Sequence, residues 1–162
     1  IIPPTHLRRK ILNEVENSSH IKTNFIKNHR YKGGSNNSSG IHSKIWRQFK
    51  NNILENDYTL CMRGTGNFSA RFYETLAMGR IPIFINTDCQ LPFEDEIKWK
   101  DHVIWVDYRE LSTLNETILK FHNKLDNDSF LSIQKNNRKL WEKYFRFSGY
   151  YSQFISQLER IK

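Results

Sequence analysis

The sequence has little cysteine, no long apolar run, no internal repeat and almost no acid in its first third. Each shortage narrows the function. Two cysteines in 162 residues, Cys61 and Cys89, argue against a disulfide scaffold and against a Cys-ligated zinc site. Both stand in apolar stretches that read as strand or strand-end, where a free cysteine acts as a small buried hydrophobe. No apolar run approaches the ~18–20 residues that cross a bilayer, and Ile1-Ile2 followed by Pro3-Pro4 has no signal-peptide core. The six histidines (His6, His20, His29, His42, His102 and His122) show no His-x-x-x-His spacing, so a zinc site has no support. What the chain does have is core material. Hydrophobic residues make up 38% and aromatics 14%, with 4 Trp, 7 Tyr and 11 Phe, which excludes disorder of the whole.

At about 100–200 residues per domain the length predicts one domain spanning 1–162. The opening on Ile1 rather than Met reads as an internal start, so a fragment of a longer protein is expected. The net charge of +8 is polarised: residues 1–50 hold 10 Lys+Arg against 2 Asp+Glu, and residues 51–162 hold 15 against 15. That excess suits an anionic partner such as nucleic acid, acidic lipid, a polyanionic glycan or a phosphorylated small molecule. A merely solvated basic face explains it as well.

Leu7, Ile11, Leu12 and Val15 recur at helical spacing and predict a helix over about 5–16. Ile21, Thr23, Phe25 and Ile26 read as a short β-like segment, and the polar, glycine-rich stretch 31–40 as a mobile loop. Ile45, Trp46, Phe49, Ile53 and Leu54 predict a second helix over 43–54. The strand candidates are 58–62, 81–85 and 103–106. Helices are expected at 69–78, stopped by Gly79, and near 110–125, 128–147 and 150–161. Strands alternating with helices predict an α/β fold, a Rossmann-like parallel sheet with helices on both faces, in which a first strand before residue 5 is missing. Trp46, Trp99, Trp105 and Trp141 all have apolar neighbours and are expected in the core.

The informative segment runs from Arg63 to Glu74, at the C-terminal end of one strand and into the next helix, where open α/β sheets bind ligands. Gly64 and Gly66 let the main chain approach a ligand closely. The amides of Asn67 to Ala70 stand at a helix N-terminus and favour an anion. Arg63 and Arg71 add fixed charge in a bidentate form that suits phosphate. Glu74, one turn after Arg71, is placed to accept from a ribose, although a plain surface ion pair with Arg71 accounts for the spacing equally well. These features describe a diphosphate site that works without a metal.

The continuation Arg71-Phe72-Tyr73-Glu74-Thr75-Leu76-Ala77-Met78-Gly79-Arg80-Ile81-Pro82-Ile83-Phe84, then Leu91-Pro92-Phe93 with Ile97 and Trp99, resembles the exostosin family of glycosyltransferases. Leu140-Trp141-Glu142-Lys143-Tyr144-Phe145 extends the likeness, which covers roughly 43–160 and is less distinct over the first 42 residues. The resemblance implies the C-terminal, donor-binding half of a GT-B enzyme that lacks its N-terminal acceptor domain. It implies that Arg63, Gly64, Gly66, Ser69 and Arg71 line the diphosphate of a UDP-sugar, beside the Asn67 amide already placed there, and that Glu74 binds its ribose. It further implies an inverting, metal-independent transferase of polysaccharide synthesis, needing no cofactor and taking a glycan or lipid-linked acceptor. The catalytic base would lie on the absent half, so none is named, and the fragment alone is expected to be inactive. The run Glu94-Asp95-Glu96 lacks a metal geometry. Three alternatives remain: a nucleic-acid-binding module, which lacks a recognisable motif, a dock for an acidic membrane surface through residues such as Arg8, Arg9 and Lys10, and a catalytically dead interaction subunit of a transferase pair that keeps the fold and loses donor affinity. Six Asn-x-Ser/Thr sequons suit a Golgi lumen, but Asn67 lies inside the phosphate loop, which favours a cytoplasmic setting.

Overall fold

A computed structural model of the chain describes residues 4–27 and 39–160. Its elements are α1 (Pro4–Glu16), α2 (Ser39–Leu54), β1 (Tyr58–Cys61), α3 (Ala70–Ala77), β2 (Ile81–Asn86), β3 (Ile104–Asp107), α4 (Leu114–Asn123), α5 (Asn127–Tyr144) and α6 (Phe147–Arg160). Short 3-10 turns at Trp99–Asp101 and Leu111–Thr113 precede β3 and α4. The three strands form one parallel sheet in the order β1-β2-β3, with Leu60 opposite Ile83 and Ile85 opposite Val106. The expected Rossmann-like α/β fold is therefore present.

Side-chain alternation along the strands builds two separate cores. Ile81, Ile83 and Ile85 of β2, with Ile104 and Val106 of β3, join Leu7, Ile11 and Val15 of α1 and Leu114 and Ile118 of α4. Phe84, one step out of phase, faces the other side with Cys61, Phe72 and Leu76 of α3, and Leu140 and Tyr144 of α5. The β2-to-β3 connection contributes Leu91, Ile97, Trp99 and Val103 to that second side. Both crossovers thus cover the same face, as right-handed connections stepping in one direction along a sheet must.

Gly79 ends α3 through two bonds: its own amide donates to Leu76 O (2.9 Å) and the next amide, Arg80 N, to Thr75 O (3.0 Å). That is the Schellman pattern, and it needs the left-handed conformation that Gly79 adopts at φ +61. A Cβ there would also stand 3.3 Å from Arg138 Cβ and Gln134 O on α5. Space and backbone both demand glycine. Asn137 of α5 is fully buried, and its amide group donates to Arg80 O (3.0 Å) and His102 O (2.9 Å) while its oxygen meets His102 Nδ1 (2.9 Å). One satisfied side chain so ties α5 to the entries of β2 and β3.

Three expectations need correction. Residues 21–27 do alternate in burial, and Ile21 and Phe25 pack on the aliphatic core, but they form no strand. The Asn24 carbonyl is taken by the Asn52 side chain (2.8 Å) rather than by a neighbouring strand. Trp46 is not in the core: it is 52% exposed and stacks on Phe49 with centroids 5.3 Å apart. Cys89 is only half-buried, in the turn after β2, whereas Cys61 is fully buried as expected. Of the loop expected over 31–40, residues 31–38 lie outside those described, and Ser39 and Gly40 already belong to α2.

Candidate functional site

The C-terminal ends of all three strands lie along one edge of the sheet, and the loop from Met62 to Ser69 leaves β1 at that edge. Its shape is set from inside by Gly64 N donating to Phe68 O (3.1 Å) and Arg63 Nη2 donating to Thr65 O (3.3 Å). A Cβ on Gly64 would meet nothing within 4 Å, so the backbone there borders open space. On Gly66 it would strike the Phe68 ring at 2.9 Å. Phe68 itself is 60% exposed.

Ser69 is the N-cap of α3, with extended backbone at φ −124 and ψ 109, but its hydroxyl makes no capping bond. A serine in this position ordinarily accepts from an amide of the first turn, which otherwise has no partner inside the helix. Here Ser69 is buried, with 7% of the residue exposed, and its buried Oγ has no hydrogen-bond partner. Arg63 Nε is likewise buried without a partner. Buried polar atoms usually find partners. Both orphans belong to the segment that leads from β1 into α3.

Arg71 lies in the first turn of α3, its guanidinium 4.2 Å above the Phe49 ring of α2. Nε stands 3.7 Å from Glu74 Oε2, both side chains being partly exposed. Burial lowers the Arg71 pKa, and Glu74 acts in the opposite direction. The spacing expected for Arg71 and Glu74 thus produces a real but loose ion pair. Cys61, just below, keeps its proton because burial pushes its thiol up to about 12.

Asn67 behaves differently from its neighbours. Its side-chain amide donates to Thr87 O (3.1 Å) and Asp88 O (3.2 Å), and its oxygen accepts from Thr87 Oγ1 (2.6 Å). It links the loop after β1 to the turn after β2 instead of reaching outward. The sequence reading missed the partners of that turn, Asp88, Asp107 and Arg109. Their signal is position, at or immediately after the C-terminal ends of β2 and β3. Phe49, which the sequence marks only as an apolar position of a helix, lies under the Arg71 guanidinium.

The acidic run does structural work: Glu94 Oε1 accepts from Leu91 N (2.8 Å) and Glu96 Oε2 from the Tyr144 hydroxyl (3.1 Å). Among the described residues no group of three or more His, Cys, Asp or Glu is placed to hold a metal. Arg8, Arg9 and Lys10 are exposed on α1, and Lys27 pairs with Glu16 at 2.7 Å. Arg30, Lys32 and the remaining glycine-rich loop lie outside the described residues. No described helix is long and apolar enough to cross a membrane.

The family model of the Exostosin GT47 domain matches residues 3–121. The chain belongs to the exostosin GT47 family. Exostosin-1 of Drosophila melanogaster is 29% identical over 121 residues, covering 64% of this chain and 15% of that protein. Exostosin-1 of Bos taurus is 27% identical over 121 residues, with coverages of 64% and 16%. Exostosin-1c of Danio rerio is 29% identical over 119 residues, with coverages of 72% and 15%. The chain therefore spans about 15% of the length of these relatives. The exostosin match starts forty residues earlier than the motifs suggested and ends before Leu140–Phe145. Its early start fits the fold, because α1 closes the aliphatic face of the sheet. A helix that contributes only Leu, Ile and Val at regular spacing leaves no distinctive motif.

Proposed function

We propose that this chain is the donor-binding half of a GT-B glycosyltransferase and holds the diphosphate of a nucleotide-sugar, a UDP-sugar by preference, at the N-terminus of α3. The observation that carries the reading is the pair of buried, unpartnered groups, Ser69 Oγ and Arg63 Nε, beside that terminus. Phosphate oxygens would accept from the first-turn amides other than that of Phe72, which donates to Ser69 O, from Arg71, and, with a small shift of the loop that uncovers them, from both buried groups. Gly64 leaves the backbone open to the ligand. Glu74, loosely held by Arg71, would accept from the ribose.

The chemistry assigned to the bound donor is a single inverting displacement: an acceptor hydroxyl attacks the anomeric carbon, its proton passes to a base, and the nucleoside diphosphate leaves. Two arginines and a helix N-terminus stabilise the charge of the leaving group, which supports a metal-independent mechanism. The acceptor, a glycan or lipid-linked glycan, and the base belong to a second wall that these residues do not form. Asn67, a sequon asparagine, spends both amide hydrogens on backbone carbonyls, which supports its carrying no glycan in the folded chain.

Titration calorimetry of the chain with UDP in EDTA tests the reading, and binding without added metal is expected. Glu74→Ala should weaken it by about 1.5–3 kcal/mol, the range for hydrogen bonds to charged groups, with stability unchanged. Binding only with added manganese would overturn metal independence. No binding to UDP or other nucleoside diphosphates would overturn the donor site.

A further inference from the structure

Asp88 is a non-glycine residue in the left-handed region, at φ +57, in the turn directly after β2. Asparagine and aspartate tolerate that conformation better than most, but something must still hold it. Two side chains do, one from each neighbouring strand end. Asn67, after β1, donates to the carbonyls of Thr87 and Asp88. Arg109, after β3, grips the Asp88 carboxylate with both arms of its guanidinium, Nη1 to Oδ1 at 3.0 Å and Nη2 to Oδ2.

Arg109 is itself held in place. Its backbone amide and Nη1 donate to Asp107 Oδ1 (2.8 and 3.2 Å), and its guanidinium lies 4.4 Å from the centre of the Tyr108 ring. Hydrogen bonds thus run from Asp107 through Arg109 to the Asp88 carboxylate, and from the Thr87–Asp88 backbone to Asn67, so that the turn itself joins the two sets across the C-terminal ends of all three strands. A single exposed ion pair contributes little. A bidentate pair inside a network of this kind can set the shape of a loop.

We propose that Arg109 and Asp88 are positioning residues that act through Asn67 to hold the Arg63–Ser69 loop in its ligand-ready shape. The proposal rests on the donor-site reading for its effect on binding, but not for its effect on the loop. Removing Arg109 frees the Asp88 turn, the turn stops presenting two carbonyls to Asn67, and the loop carrying Arg63 and Ser69 loosens.

Hydrogen exchange of the loop amides and UDP calorimetry together test this on the 162-residue chain. Arg109→Ala should speed exchange at residues 64–69 and weaken UDP by roughly 3- to 30-fold, the span for residues acting through a network. Asp88→Asn keeps a residue that tolerates the left-handed turn but removes the charge, so it should loosen the same amides even if the first variant is poorly folded. In an Asn67→Ala background, Arg109→Ala should have no further effect on UDP affinity, since the link is already cut. Unchanged exchange at 64–69 in both single variants would overturn the proposal. Additive losses of affinity would overturn it too, because Arg109 would then act on the ligand without Asn67. Should the wild-type chain fail to bind UDP while the loop still loosens, the donor reading falls and the positioning role stands.

Discussion

The two faces of the sheet are packed from different materials. On the α1 and α4 side the fully buried residues are almost all Ile, Leu and Val, and the rings of Phe25, Tyr58, Tyr108, Phe121 and Phe130 pack against them only partly buried. On the α3 and α5 side they include Phe72, Phe84, Trp99 and Tyr144, with Tyr73, Phe93, Trp105 and Phe145 against them. The rings meet at fixed angles: Phe72 lies 5.1 Å from Phe84 and 5.3 Å from Trp99, and Tyr73 lies 5.0 Å from Phe145. Aliphatic side chains fill space with many equivalent arrangements, whereas tilted and edge-on rings lock into few. The helix that carries Arg71 and Glu74, and is capped at Ser69, rests on the aromatic face. Its rigidity is therefore supplied where the site needs a fixed frame.

Truncating the centre of the aromatic face gives the largest expected effect. Phe72→Ala removes the ring that joins α3 to β2 and to the Trp99 turn, and should cost about 3–5 kcal/mol of stability in urea unfolding. Because Phe72 follows Arg71, UDP affinity should fall in the same variant under conditions where it is still folded. A loss below about 1.5 kcal/mol would mean that neighbouring rings slide into the gap, and that the face is not locked.

Alkaline pH separates the faces next. Burial pushes the Cys61 thiol, on the aromatic face, up to about 12 from an ordinary value of 9.0. Tyr73 on that face and Tyr58 on the other are pushed up to about 12 from 10.0, each mainly by burial, with the nearby Asp57 adding for Tyr58. A group whose folded pKa lies above its unfolded one favours the native state fully below the unfolded value and loses that contribution as pH rises. Stability should hold up to about pH 9, then fall towards pH 12, because the Cys61 thiol ionises before the tyrosines in the unfolded chain while all three keep their protons in the folded one. With Cys61→Ala in a Cys89→Ala background, since burial raises the Cys89 thiol from 9.0 as well, the fall should begin about one pH unit later, where the tyrosines start to titrate. An onset unchanged by that substitution would show that the thiol does not drive the first part of the fall.

The contrast between the faces was only half visible in the sequence. The alternation in Ile81 to Ile85, the helical spacing of Leu7, Ile11 and Val15, and the stop at Gly79 all carry their structure locally, because period and backbone conformation are properties of a few adjacent residues. The loop from Arg63 to Glu74 was legible for the same reason: strand, glycines and helix start follow each other without a gap. Trp46 was misread because helical spacing shows that two residues share a face, not what that face meets. The Asp88–Arg109 pair spans 21 residues, and no local pattern announces that a turn after β2 will be held from β3. Ile21, Thr23, Phe25 and Ile26 read as β-like from their residue types alone, whereas in the structure the Asn24 carbonyl is taken by the Asn52 side chain instead of a neighbouring strand.

The smallest expected effect belongs to the aliphatic face. Ile85 is fully buried between the α1 and α4 layers, on the same strand as Phe84 and pointing the opposite way. Ile85→Val removes one methyl group and should cost about 0.5–1.5 kcal/mol, with UDP affinity unchanged. The low figure is expected because the surrounding Ile, Leu and Val side chains can shift by a rotamer or a few tenths of an ångström to close a methyl-sized void, which tilted rings held at several contacts cannot do. The measurement is a urea midpoint at unchanged slope, so that the difference reports the native state rather than a change in the unfolded one. A cost well above about 1.5 kcal/mol, or a loss of UDP affinity, would show that the aliphatic face is as exacting as the aromatic one and that both faces frame α3.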